Sequence, residues 1–260
     1  MQQEKKISYS ELKVWNECTY KHKLRYIDKV SAFEGNIYTA FGTAMHAVCE
    51  DVVQDKTVAT YERFLSHFEK ELNLLEEQSI NENAQMITEM KNQAQPLCQN
   101  LLPELISNFG EFEVFSVEEM LMEQISQVEA YGKKFKGFID LVIRTPDDFY
   151  HIIDWKTCSW GWDSRKKTDK MVTYQLAFYK HFFSQKHSIP YSKIKTHFSL
   201  LKRTAKKNHI EFFEVPCGKI KINNSLKLLS LALTNIERQV SIKNRLSCKY
   251  CEFYKTESCK

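Results

Sequence analysis

The chain has 260 residues, 43% of them apolar and 27% charged, with only seven Gly and five Pro. These proportions exclude a disordered or low-complexity chain and are enough for one sizeable core, or one core with a helical elaboration. The net charge of +4, from 37 basic against 33 acidic residues, is too small to name a partner, so its distribution matters more than its sum.

Residues 8–28 read as a helix capped by Ser8 or Ser10, with Glu11 three positions after Ser8 as in a capping box and with Leu12, Trp15, Thr19 and Leu24 along one side. Residues 31–40 read as a loop. The stretch 41–109 is predicted to be mostly helical, with Phe64, Leu65, Phe68, Leu72 and Leu75 at helical spacing and breaks near Pro96 and Pro103. Near Phe112 the pattern changes to three strands, 112–128, 133–145 and 149–157, with turn signals at Tyr131-Gly132 and Pro146-Asp147-Asp148. A helix at about 168–185, strands at 194–202 and 208–215, a helix at about 218–240 and a Cys-rich tail complete the chain. This order predicts a single α/β domain with a mixed β-sheet flanked by helices, in which 41–110 is a helical elaboration and 112–215 the core.

No apolar run is long enough to cross a bilayer. The opening MQQEKKISYSEL lacks the apolar stretch of a secretory signal, so an intracellular, cytoplasmic location without a membrane partner is expected. Basic clusters lie at Lys21-His22-Lys23-Leu24-Arg25, Lys133-Lys134, Arg165-Lys166-Lys167 and around Lys202-Arg203 and Lys206-Lys207, whereas acidic residues concentrate between 62 and 119. Each basic cluster alone is equally well a solvated surface.

The sharpest geometric signal is the hairpin 133–157. Side chains alternate along a strand, so Phe138, Asp140 and Val142 are expected on one face, and Tyr150, Ile152, Asp154 and Lys156 on one face of the next strand. With the turn centred on Asp147, residues whose numbers sum to 294 oppose each other, which pairs Asp140 with Asp154 at a Cβ separation of roughly 4.5–5.5 Å. Two carboxylates that close repel unless one takes a proton or a cation lies between them, and a hard cation such as Mg2+ or Mn2+ suits oxygen ligands. Lys156 then stands beside them, either as a catalytic ammonium or as half of a salt bridge. Two further pairs have helical i, i+4 spacing: His46 and Glu50, following Gly42, and Gln175 and Tyr179. Each is also readable as an ordinary packed helix face.

The order G-x3-H, G-F-I-D, D-W-K and Q-x3-Y, carried by Gly42 to His46, Gly137 to Asp140, Asp154 to Lys156 and Gln175 to Tyr179, resembles the PD-(D/E)XK nuclease superfamily in its RecB-like branch. The opening Ser8-Tyr9-Ser10-x-Leu12 followed by Cys18 also resembles the start of AddB-type domains. The proline before the first Asp is replaced by Ile139, and the third acidic position is Asp154 in place of Glu. The resemblance implies a restriction-endonuclease-like core, with His46, Asp140, Asp154 and the Trp155 carbonyl as metal ligands, Lys156 as the catalytic lysine and Gln175 and Tyr179 in support; Glu50 is the least secure. It also implies a DNA exonuclease acting on ends or single strands in recombination, repair or replication, alone or with a separate helicase or recombination partner, since the chain has no P-loop. The alternatives are a non-catalytic nucleic-acid-binding module and a subunit of a recombination complex.

Of eight cysteines, Cys49, Cys98, Cys158 and Cys217 have no ligand spacing. Cys248-x2-Cys251-x7-Cys259 with distant Cys18 can hold zinc or an iron–sulfur cluster, and spacing does not separate the two. The resemblance to AddB-type and CRISPR-adaptation nucleases, with one Cys before the core and three after it, implies a [4Fe–4S] cluster, with Zn2+ the alternative. Either would clip residue 18 to 248–259. The stretch from Ser159 to Lys167 carries Trp160 and Trp162 among basic residues, which suits either a single-strand stacking platform or a surface loop packed on the following helix.

Overall fold

A computed structural model describes residues 6–30, 35–55, 60–125 and 132–260. One six-stranded mixed sheet divides the molecule. Its strands are β1 (Lys6–Ser8), β2 (Glu113–Gln124), β3 (Lys134–Arg144), β4 (Tyr150–Cys158), β5 (Ile194–Lys202) and β6 (Ile210–Glu214), in the order β1-β3-β4-β5-β6 with β2 also on β3. β3 carries three neighbours because two of them share one edge. β4 pairs with residues 141–144, and parallel β1 pairs with 134–136. The three-residue β1 is too short to announce itself as a strand, and sequence reasoning missed it.

The sheet separates two hydrophobic clusters. On one side it packs on α1 (Tyr9–Glu17), α8 (Lys170–His187) and α9 (Lys219–Glu237), where Phe135 stacks on Phe182 at 4.4 Å. On the other side lie α3 (Ile37–Gln54), α4 (Thr60–Leu72) and α6 (Ala84–Phe109), with Phe41, Phe64 and Phe68 in mutual ring contact. Each fully buried aromatic of this kind contributes about 1.5–3 kcal/mol by leaving water. The predicted spacing Phe64, Phe68, Leu72 is the buried stripe of α4. Short helices α2 (Thr19–His22), α5 (Glu77–Glu82) and α7 (Ser164–Thr168) complete the set.

Several expectations are corrected. The predicted helix 8–28 is interrupted: α1 ends at Cys18, whose backbone is extended, and a π-helical turn, Lys23–Ile27, follows α2. Ser8 does cap α1, but the Glu11 carboxylate contacts His22 Nε2 at 3.0 Å, so the capping box is half formed. The predicted loop 31–40 gives way to α3 at Ile37, because Asn36 and Thr39 form a reciprocal capping box; residues 31–34 lie outside the described set. Pro96 and Pro103 do not break α6 but sit inside it. The carbonyls they deprive of a donor belong to exposed Asn92 and Gln99, on the side of the helix open to solvent, while buried Leu97, Leu101 and Leu105 hold the helix to the core. The turn signal at Tyr131 and the end of the strand predicted to 128 also fall outside the described residues.

Candidate active site

The hairpin register follows the predicted sum of 294 from Arg144↔Tyr150 to Leu141↔Ile153. The next pair would be Asp140 and Asp154, and there the ladder stops. The two strands splay, and Asp140 Oδ2 accepts the Trp155 N–H at 2.7 Å. Facing also changes at this point. Ile139 and Val142 pack into the same cluster while Leu141 packs into the other, so Phe138, Asp140 and Val142 do not share one face as expected. The neighbouring strand is irregular as well. β2 slips register between Val114 and Ser116, and Glu118, which the register sets against Asp140, has φ +47. A non-glycine residue in that left-handed region is strained, and such strain is retained where the surrounding packing holds it.

The glycines of two motifs account for close approaches. A Cβ on Gly42 would lie 3.2 Å from Thr157 Oγ1, so α3 can rest against β4 and bring His46, one turn later, to the cleft. A Cβ on Gly137 would lie 2.9 Å from Phe135 Cε1 and 3.0 Å from Tyr179 Cε1. Its absence leaves room for the Tyr179 ring beneath β3.

Donor atoms of His46, Glu118 and Asp140 lie within 4.8 Å of one another, the one such group among the described residues. His46 Nδ1 is 3.7 Å from Asp140 Oδ2, and its ring also meets the Trp155 backbone. Asp154, 1% exposed, accepts from Gln175 Nε2 at 2.7 Å and contacts the Lys156 ammonium. Gln175 Nε2 also reaches Tyr179 Oη at 3.0 Å. Among the sequence-derived candidates, then, His46 and Asp140 form one half of the cleft, and Asp154, Lys156, Gln175 and Tyr179 the other. Glu50 hydrogen-bonds with Glu118. Glu118 itself was missed; the signal was the pair Glu118-Glu119 interrupting a strand opposite Asp140.

The electrostatics follow from burial and crowding. Burial, then the Asp154 charge, pushes the Asp140 carboxyl well above the usual carboxylate range. Burial raises Glu50 to about 7 and moves Glu118 upward as well. Burial holds the His46 imidazole toward its neutral, ligand-competent form. For Lys156, burial opposes the charge, but the Asp154 and Asp140 carboxylates outweigh it and raise the ammonium. Asp140 and Asp154 around one lysine, with Glu118 close to Asp140, make a cleft that attracts a cation.

The four cysteines Cys18, Cys248, Cys251 and Cys259 line one cavity of about 170 Å3 between α1–α2 and the tail. Backbone N–H groups of Lys21 and Asn244 point at Cys18 Sγ at 3.5 and 3.3 Å. Cys49, Cys98 and Cys217 are buried elsewhere. The tryptophans after β4 divide: Trp162 packs against Phe198 and Phe213 with the Lys166 ammonium over its ring, whereas Trp160 is 75% exposed.

This sheet, flanked by helices and splayed at an Asp/Asp-x-Lys hairpin, is that of a restriction-endonuclease-like nuclease fold. The chain belongs to the PD-(D/E)XK nuclease superfamily, whose family model matches residues 6–256. A solved structure from Eubacterium rectale, of a protein named for an exonuclease activity, is similar at 12% identity and a TM-score of 0.59, covering 97% of this chain and 89% of that one, which is a likeness of fold. The structure of SSO0001 is similar at 16% identity and a TM-score of 0.43, covering 97% of this chain and 85% of that one. No curated protein matches the chain significantly. Among the described residues no helix is long and apolar enough to cross a membrane.

Proposed function

We propose that the protein is a divalent-metal-dependent exodeoxyribonuclease that acts on DNA ends or single strands in recombination, repair or replication, alone or beside a helicase or recombination partner. The observation that carries this reading is the convergence of His46, Glu118 and Asp140 within 4.8 Å, beside Asp154 and Lys156 in one cleft. We assign His46, Asp140, Asp154 and the Trp155 carbonyl as ligands of Mg2+ or Mn2+, with Glu118 added to that set; carboxylate oxygens and one neutral imidazole suit such a cation. When bound there, the cation supplies Lewis acidity to a phosphate oxygen and lowers the pKa of a water. Lys156 orients the attacking water and offsets negative charge developing on the phosphate. Gln175 keeps Asp154 in place, and Tyr179 keeps Gln175 in place. The Trp155 N–H fixes the Asp140 carboxylate.

For the cysteine cavity we propose a [4Fe–4S] cluster. The four thiols converge, and the N–H groups aimed at Cys18 favour a thiolate. The order of one cysteine before the core and three after it, as in the AddB-type nucleases that the chain resembles, favours the cluster, with Zn2+ the alternative.

The test is to purify the chain without oxygen and incubate it with end-labelled single- and double-stranded DNA and Mg2+ or Mn2+, beside Asp154→Ala. Metal-dependent degradation that the variant lacks is the expected result. A folded, cluster-loaded sample that degrades neither strand overturns the reading and makes the protein a binding module or a subunit.

A further inference from the structure

We infer that Phe138, with Met120 beside it and Lys136 beyond it, is a stacking platform for an unpaired base next to the scissile phosphate, so that the cleft takes single-stranded DNA in preference to duplex; this rests on the proposed nuclease reading of the same cleft. Phe138 is 40% exposed and Met120 50% exposed, and the register sets them directly opposite each other on β3 and β2. Ile139 and Leu121, which follow them in the strands, are fully buried in the core beneath. The outward pair is therefore not surplus core but an apolar step on the outer surface of the sheet.

Its position ties it to the acidic cleft. Phe138 is two residues from Asp140, about 7 Å along the strand, and Met120 is two residues from Glu118. Phe138, Lys136, Lys6, Asp140, Gln175 and Tyr179 are among the residues that line one open cavity of about 530 Å3. The Lys136 ammonium lies 5.1 Å from the Phe138 ring centroid. Outward along β3 the order is thus carboxylates, aromatic ring, ammonium. A strand whose phosphate sits at the carboxylates places its adjoining base at the ring and its next phosphate near the lysine. The aromatic face accepts any base, and the ammonium complements the phosphate charge. Met120 widens the step with a flexible, polarisable side chain. A base in a duplex keeps its faces stacked on neighbours and cannot use this surface.

The test measures binding of fluorescein-labelled oligo-dT, of the same backbone carrying abasic residues, and of a blunt hairpin duplex, by anisotropy with Ca2+. Wild type is expected to bind oligo-dT roughly tenfold or more tighter than the abasic strand, within what one base–aromatic stack contributes, and tighter than the duplex. Phe138→Ala removes the preference for bases, and Phe138→Trp keeps it. Equal binding of oligo-dT and abasic strand by wild type, no binding of either, or an undiminished preference in Phe138→Ala overturns the inference. Cleavage of the same oligo-dT with Mn2+ separates the two readings: base-dependent binding without cleavage defeats the nuclease reading and leaves the platform, and cleavage without base preference does the reverse.

Discussion

The acidic cleft and the cysteine cavity both join distant parts of the chain, yet they are held in opposite ways. The cleft lies where β3 and β4 splay, and its side chains are buried and mutually bonded: Asp154 to Gln175 and Lys156, Asp140 to the Trp155 N–H. The cavity joins α1–α2 to a tail with little core of its own. Leu246 is 96% exposed and Tyr250 84%. A few hydrogen bonds link the two ends, among them Ile242 N–H to Thr19 Oγ1 at 2.6 Å, Asn244 Nδ2 to the Glu17 carbonyl at 2.8 Å and Tyr20 Oη to the Ser258 carbonyl at 3.1 Å. A site made by a packed sheet exists before its cation arrives. A site made by two chain ends would, with the proposed cluster bound, draw stability from what the thiols hold.

That contrast predicts different failures. The largest effect is expected at the cleft: Asp140→Ala or Lys156→Ala lowers DNA cleavage by about 10^3–10^4-fold while DNA affinity changes little. Single-turnover cleavage at wild-type rate in either variant removes its residue from the chemistry. The opposite pattern is expected at the cavity. Cys251→Ala frees a loop of about 230 residues between Cys18 and Cys248, costs about 2–5 kcal/mol by loop-closure entropy and loses bound iron. Denaturant titration and iron analysis check this; full stability with a full iron complement defeats the clip.

A smaller change probes how the sheet supports the cleft. Gly137→Ala pushes a methyl into Phe135 and Tyr179. It is expected to destabilise by about 1–3 kcal/mol and, by displacing Tyr179 from Gln175, to reduce cleavage by more than the lost folded fraction explains. Equal losses in both would show that Tyr179 serves packing alone.

An effect absent at neutral pH, and growing only on acidification, belongs to a part of the core outside both sites. His151 Nδ1 and His197 Nε2 lie 3.0 Å apart beneath the Phe109 ring. Burial lowers His151 to about 4 and His197 to about 3. Because the folded chain binds these protons less readily than the unfolded chain, their contribution is complete above about pH 6.5 and falls as pH drops from there toward 4 and then 3, by up to about 1.4 kcal/mol per pH unit for each histidine. Urea midpoints between pH 7 and 5 report it, and His197→Phe flattens the slope if the pair is its source.

How much of this was legible in the chain depends on the range of the interaction. Alternating apolar residues, the turn at Pro146-Asp147-Asp148 and the helical spacing of Phe64, Phe68 and Leu72 are local signals, and they determined the element order and the hairpin register through Leu141. The motif residues His46, Asp140, Asp154, Lys156, Gln175 and Tyr179 were nameable because their types and order resemble the family's motifs, and the four cysteines because one before the core and three after it resemble a metal-binding set. The tertiary structure alone decided the rest. It closed the gap beside β3 with β1, a strand too short to show a period. It kept Pro96 and Pro103 inside one helix, since core packing outweighs two lost hydrogen bonds on the side open to solvent. It turned Asp140 from the predicted ladder to the Trp155 N–H and brought Glu118 beside it, contacts between strands that no local pattern records.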